Sequence, residues 1–362
     1  MIEIGGSYLE GGGQIIRTAL ALSTLTQQSF HATQIRSKRP DPGLKHQHLY
    51  CVEALQKLCN AKVDGNHLGS TEITFIPGPI EGKTISIDIQ TAGSIPLLLQ
   101  GILLPSLFAD KKVHLKIKGG TSGIFASPYE YFESVLLPQY KKFAEIKSML
   151  VRRGYYPKGG GEVELFIKPH HTLTDDRATF HHLKENGPKL ILDEQYSLMS
   201  IKGVSHASSD LEQQQVAERQ GKAARSILSY LNVPISIRTE YSKTLSTGSG
   251  ITLWAIFSKN PEEIDEENPI RLGADALGER SKRAEIVGEE AAGKLKQYIA
   301  SKAPADPHCT DQILPLMALT SKSIIKTTEI TPHTRTNIYT IEKFLGKVFE
   351  VDETLRIVKT IS

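Results

Sequence analysis

The chain has 362 residues, 39% hydrophobic and 23% charged, with 43 Lys and Arg against 40 Asp and Glu and a formal net charge of +3. That is ordinary globular composition with enough apolar material for a packed core, and the near balance of charge argues neither for nor against a nucleic-acid partner. Three cysteines without a CxxC pair (Cys51, Cys59, Cys309) exclude a disulfide framework, and no stretch reaches the ~18 uncharged apolar residues that span a bilayer, so a cytoplasmic protein without a membrane segment is expected.

Met1–Ile4 reads as a short strand, followed by a glycine-rich turn over 5–13 and a helix carried by Ile15, Ile16, Ala19, Leu20 and Leu22. Phe30–Arg36 is strand-like, Leu44–Leu58 is helical, and Glu72–Ile76 and Ser86–Ile89 alternate as strands. A helix (Leu97–Phe108), a strand (Val113–Ile117), a helix (Pro128–Phe143) and a strand (Val163–Ile167) follow. A unit of strand, helix, strand, helix and two strands thus recurs before residue 170, implying compact repeated α/β modules. Glu185–Pro188 and Asn260–Pro269 combine charge with proline, as exposed junctions do. Between them lie a strand (Ser197–Val204), a long helix (Leu211–Leu231) and two strands (Ile235–Thr239, Ile251–Phe257), enough for a small domain. Helical patterns resume at Ser281–Ala300 and Asp311–Leu319. The middle segment therefore reads as an insertion into a larger repeated domain.

Four segments carry possible chemistry. The turn from Gly5 to Thr18 exposes backbone N–H groups at the start of a helix, which suits a phosphate, although it is neither a Walker A loop nor a dinucleotide fingerprint. Glu10 could hold a divalent metal there and Arg17 a phosphate; the plain alternative is a tight turn with a solvated carboxylate. Arg36, Lys38, Arg39 and Lys45 crowd a proline-restricted loop, suited to phosphate or RNA, or else merely solvated. Arg153 to Glu164 sets Gly159-Gly160-Gly161 ahead of a strand, where a backbone or ligand can come close. Asp306 to Gln312 and Thr331 to Ile338 contain His308 and His333 without a third ligand at zinc spacing. Asp306 and Pro307 make His308 a candidate helix-start residue.

Together these segments resemble the RNA 3′-terminal phosphate cyclase family. The resemblance rests on Gly-Ser-Tyr-x-Glu-Gly-Gly-Gly-Gln-x-x-Arg-Thr (6–18), Arg39-Pro40-x-Pro42-Gly43-Leu44, Gln90–Ser94, Arg153–Glu162, Gly273–Ala292, Asp311-Gln312 and His333, and it covers nearly the whole chain. It implies an α/β (α+β) fold: a large domain of three repeated βαβαββ modules (1–185 and 271–362) with a smaller inserted α/β domain (186–270). It also implies an ATP-dependent ligase or nucleotidyltransferase acting in RNA processing on RNA 3′-phosphate ends. By motif position His333 is the nucleophile that takes AMP, and Gln100, Pro128, His308, Cys309, Thr310, Asp311 and Gln312 line the ATP site. Glu10 is the contact for a divalent cation (Mg²⁺ or Mn²⁺), and Arg17, Arg36 and Arg39 meet the RNA phosphate. Leu9 stands where a glycine is common, and His308-Cys309 departs from the usual pair. Two other readings share parts of the pattern. A cyclase-like RNA-binding factor would lack the histidine, and an enolpyruvyl-transferase-like enzyme would lack the insertion.

Overall fold

Short alternating strands and amphipathic helices build four separate four-stranded sheets in the computed structural model, which describes residues 1–124, 126–173, 177–260, 262–266 and 268–361. The expected junction at 260–269 includes Pro261 and Glu267, which lie outside the described residues. Ile2–Gly5 (β1), Gln14–Thr26 (α1), Phe30–Thr33 (β2), His46–Cys59 (α2), Lys62–Asp64 (β3) and Ile73–Ile76 (β4) come first. Their sheet has the order β1-β2-β4-β3, with β1 parallel to β2 and the other pairings antiparallel.

Next come Thr84–Asp88 (β5), Ile95–Ser106 (α3), Val113–Gly119 (β6), Tyr129–Tyr131 (α4), Leu137–Tyr140 (α5), Ala144–Arg152 (β7) and Gly161–Pro169 (β8). The sheet order β5-β6-β8-β7 has the same parallel and antiparallel senses. The helix expected over 128–143 is interrupted by a π-helical turn at Phe132–Leu136. Pro138 sits in the first turn of α5, where its missing N–H marks a new helix start after the π-turn.

Arg177–Asn186 (α6) leads into the short strand Ile191–Leu192 (β9). The chain then forms Ser197–Ser208 (β10), Val216–Leu228 (α7), Ile235–Ser242 (β11), Ser249–Ser258 (β12), Ile270–Leu277 (β13) and Ala284–Ala300 (α8). These four strands make one sheet, β11-β10-β12-β13, with α7 packed against α8. The helix expected over 211–231 is shorter than its pattern, with 3₁₀ turns at Ser209–Leu211 and Ser229–Leu231. Last come Pro307–Met317 (α9), Ile324–Lys326 (β14), Pro332–Leu345 (α10), Phe349–Asp352 (β15) and Ile357–Thr360 (β16). Here β9 returns as the parallel partner of β14, in the order β15-β16-β14-β9.

The core is a helical layer in which α1 packs on α2, α3 and α10, and α9 on α10. Ile15, Leu20, Leu22, Leu55 and Ile102 are fully buried there. Close approach of α2 and α3 depends on Gly101, where a Cβ would lie 2.1 Å from the Cys51 Sγ. Among the described residues no helix is long and apolar enough to cross a membrane.

Candidate active site

Residues near the N-terminal ends of α1, α3, α9 and α10 line one cleft of about 340 Å³. Gln14 and Arg17 come from α1, Leu97 and Gln100 from α3, His308, Asp311 and Gln312 from α9, and His333 from α10. Helix N-termini carry unpaired N–H groups and partial positive charge, so their convergence favours an anion.

Local sequence sets each helix start. Asp306, fully buried, caps α9 by accepting the Cys309 N–H at 3.0 Å, while Tyr131 Oη donates to the same oxygen at 2.5 Å and Gly273 N–H donates to the other at 2.9 Å. Pro307 occupies the first turn, which puts His308 near the helix start as expected. Thr331 caps α10 in a capping box with Thr334, and Pro332 again precedes the histidine, His333. Asp311 ties the two helices together: its carboxylate accepts from Thr334 Oγ1 at 2.6 Å and Thr331 Oγ1 at 3.2 Å. Its carbonyl accepts from the Asn337 side chain, whose Oδ1 accepts from Thr18 Oγ1 of α1 at 2.8 Å.

His333 Nε2 lies 3.7 Å from Glu10 Oε2, and Arg39 Nη2 donates to that same oxygen at 3.0 Å. Burial pushes the imidazole below its usual pKa; Glu10 pulls it up, and Arg17, Arg39 and His308 push it down further. The neutral ring, with a free lone pair, is therefore the main form at pH 7. Arg17 is 7% exposed, donates to Gln100 Oε1 at 3.1 Å, and pairs with no carboxylate among the described residues. Burial lowers its pKa to about 10, so it remains cationic at neutral pH. Gln100 passes the chain on, donating to Gln312 Oε1 at 2.9 Å. In the basic loop, the Nε atoms of Arg36 and Arg39 are buried without a hydrogen-bond partner. Both guanidinium groups are half-buried, with Arg36 Nη2 donating to the Asp41 carbonyl at 3.4 Å and Arg39 Nη2 to Glu10. Burial also raises the Asp311 carboxyl to about 7, against the Thr334 bond, the His308 charge and the Thr331 bond that favour its ionised form.

The structure thus brings Arg17, Gln100, His308, Asp311, Gln312 and His333 to one cleft, with Glu10 and Arg39 beside His333. Pro128 is buried and caps α4 next to the lining residue Ser127. Cys309 and Thr310 are buried behind the lining, where Thr310 Oγ1 donates to the Asp306 carbonyl at 2.9 Å. Sequence reasoning missed Gln14, Leu97, Ile124, Ala126, Ser127, Asp275 and Lys294. Asp275 of β13 lies within the matching segment Gly273–Ala292 without an assigned role there, and Lys294 of α8 lies two residues beyond it. No cluster of three or more His, Cys, Asp or Glu side chains exists among the described residues. Glu10, with its side chain 38% exposed, is a single rim carboxylate, a donor set that suits Mg²⁺ held jointly with substrate phosphates.

The triple-glycine segment lies elsewhere, at the seam between β5–β8 and β10–β13. Arg153, from that segment, contacts Glu130 at 2.5 Å and Glu240 of β11 at 2.6 Å, and both the Arg153 and Glu130 side chains are at most 3% exposed. Tyr155 Oη bonds His206 Nδ1 at 2.7 Å, and a Cβ on Gly248 would strike the Tyr155 ring at 2.3 Å.

Fold and cleft define an α/β protein with a histidine set beside a buried arginine at converging helix starts. The chain belongs to the RNA 3′-terminal phosphate cyclase family, whose sequence model matches residues 8–351. It is 45% identical over 354 residues to the RNA 3′-terminal phosphate cyclase of Pyrococcus furiosus, covering 97% of this chain and 95% of the relative. Similarity to the Archaeoglobus fulgidus RNA 3′-terminal phosphate cyclase is 41% identity over 361 residues, covering 99% and 100% of the two chains.

Proposed function

We propose that this protein uses ATP to convert an RNA 3′-terminal phosphate into a 2′,3′-cyclic phosphate, with His333 as transient carrier of AMP. The observation that carries this reading is the placement of His333 at a helix start, 3.7 Å from Glu10 and in the cleft lined by the buried Arg17. In the first step the His333 lone pair attacks the α-phosphorus of ATP, the bridging P–O bond breaks, and diphosphate leaves with the electron pair. An oxygen of the RNA 3′-phosphate then displaces the histidine, giving RNA(3′)pp(5′)A. The neighbouring 2′-OH finally attacks the 3′-phosphorus, closes the ring and expels AMP. Splitting the reaction at His333 replaces one hard displacement with easier ones.

Gln100, Asp311 and Gln312, with the adjoining Pro128 and His308–Thr310 segment, line the nucleotide in this reading. Arg17, Arg36 and Arg39 take the terminal phosphate of the RNA, which guanidinium forks bind in bidentate fashion. A divalent cation, Mg²⁺ or Mn²⁺, at Glu10 would neutralise triphosphate charge. The reading also takes β1–β4, β5–β8 and β9 with β14–β16 as three copies of one βαβαββ module, supported by their common strand order. The inserted domain would then run from after Leu192 through α8, further than residue 270, because β13 pairs with β12 and α8 packs on α7.

The test is incubation of 3′-phosphorylated RNA with the protein, ATP and Mg²⁺. Ends that become resistant to phosphatase support the reading; ends that stay phosphatase-sensitive, with folded protein that binds ATP, overturn it.

A further inference from the structure

The turn that brings Glu10 to His333 also carries an aromatic stack that the adenylylation chemistry does not use. Tyr8 and Tyr339 lie ring on ring, 3.9 Å between centroids and 10° from parallel. Tyr339 is fixed from below: its hydroxyl accepts the Gly5 N–H at 3.3 Å, and Lys343 Nζ sits 5.4 Å from its ring centroid. With one face on Tyr339, Tyr8 is still 38% exposed. An aromatic ring fixed on one face by a rigid partner, with its remaining surface open, offers a plane on which a flat group can stack.

Its position relative to the chemistry is set by the glycine-rich turn. The Tyr8 carbonyl accepts the Gly11 N–H at 2.9 Å, so Tyr8 and Glu10 belong to one tight turn. Lys38 Nζ donates to the Leu9 carbonyl at 3.1 Å, which draws the basic loop of Arg36 and Arg39 alongside. A flat apolar surface beside cations and within a few residues of the phosphate-handling groups matches one chemistry, a nucleobase joined to its own phosphate.

We infer that Tyr8 stacks the base of the last RNA nucleotide while its 3′-phosphate lies among Arg17, Arg36 and Arg39. This inference rests on the cyclase reading and adds a base contact to it. The stack accepts any base, since every base has a π-face, and so confers grip without sequence preference.

The experiment measures binding of 3′-phosphorylated RNA by fluorescence anisotropy, with a normal or an abasic last nucleotide, for wild type, Tyr8→Ala and Tyr8→Phe. Labelling by ATP radioactive at its α-phosphate, run in parallel, shows that each variant is folded and competent in the first step. Wild type and Tyr8→Phe should bind the abasic RNA roughly 5- to 150-fold more weakly than the normal one, the range for one base–aromatic stack. Tyr8→Ala should bind both alike, with unchanged ATP labelling. Equal discrimination by wild type and Tyr8→Ala overturns the platform while leaving the cyclase reading intact. Failure of wild type to bind either RNA or to take label removes both.

Discussion

Replacing Glu130 by glutamine removes one charge from the buried seam and leaves Arg153 paired with Glu240 alone. The Arg153 and Glu130 side chains are 2% and 3% exposed and 2.5 Å apart, whereas Glu240 is 28% exposed. A buried charge left with no partner costs about 3–5 kcal/mol; Glu240 still pairs with Arg153, so the loss should fall below that range yet exceed about 1 kcal/mol. Replacing both residues by methionine removes the half-compensated charge, leaves Glu240 paired with Arg238, and should recover most of that loss. Urea unfolding followed by the single tryptophan, Trp254 on β12, reads the sheet that holds Glu240 and His206. Because no member of this network lines the cleft, ATP labelling of folded Glu130→Gln should match wild type. A loss below about 1 kcal/mol, or a double variant as unstable as Glu130→Gln, would refute the claim that the triple-glycine segment anchors one sheet to the other.

Other substitutions test the cleft. Glu10 raises the His333 pKa, so Glu10→Gln should let it fall further below 6.5; an NMR titration of the ring without nucleotide would show this, and an upward move would contradict it. Asp311 titrates higher in the fold than unfolded, so it binds protons more readily in the folded state and its contribution to stability declines as pH rises from about 4 to about 7. Carrying that carboxyl from 3.8 to about 7 amounts to at most roughly 4 kcal/mol, so Asp311→Asn should gain on wild type between pH 5 and pH 8 in denaturant melts. An equal difference at both pH values falsifies that assignment. At Gly13 a Cβ would fall 2.0 Å from His48 Nε2, and the His48 ring is fully buried and held by the Lys45 N–H at 2.9 Å. Gly13→Ala should therefore cost about 1–3 kcal/mol through overpacking, measurable as a lowered melting midpoint.

Much of the fold was legible where one periodicity dominates. Ile73–Ile76 and Gly161–Pro169 alternate between buried and more exposed residues, and the apolar run of Gln14–Thr26 is buried on every side from Ile15 to Leu25. Strand β7 was missed because its apolar residues face both ways: Ala144 and Ile146 are buried, Met149 and Val151 exposed, and the register shifts between Leu150 and Arg152. Strand β3 is too short to show a period. Helix α10, which carries His333, drew no assignment because its N-terminal half is rich in threonine, although Thr331, Pro332 and Thr334 form its cap. At the site, Arg17, Asp311 and His333 are brought together by packing of α1, α9 and α10, which no local spacing encodes. Family resemblance supplied that grouping. Asp275 lies in the matching segment Gly273–Ala292 and Lys294 just past it on α8, but neither was given a role, because only the packing of β13 and α8 brings them to the cleft.

The most direct test of the account is covalent labelling with ATP radioactive at its α-phosphate, with Mg²⁺ or Mn²⁺, on wild type and His333→Ala. The account predicts an acid-labile, alkali-resistant label on wild type alone, as a histidine–phosphorus bond requires. A wild-type protein that is folded and binds ATP yet takes no label, or a His333→Ala protein that takes it equally, would contradict the account.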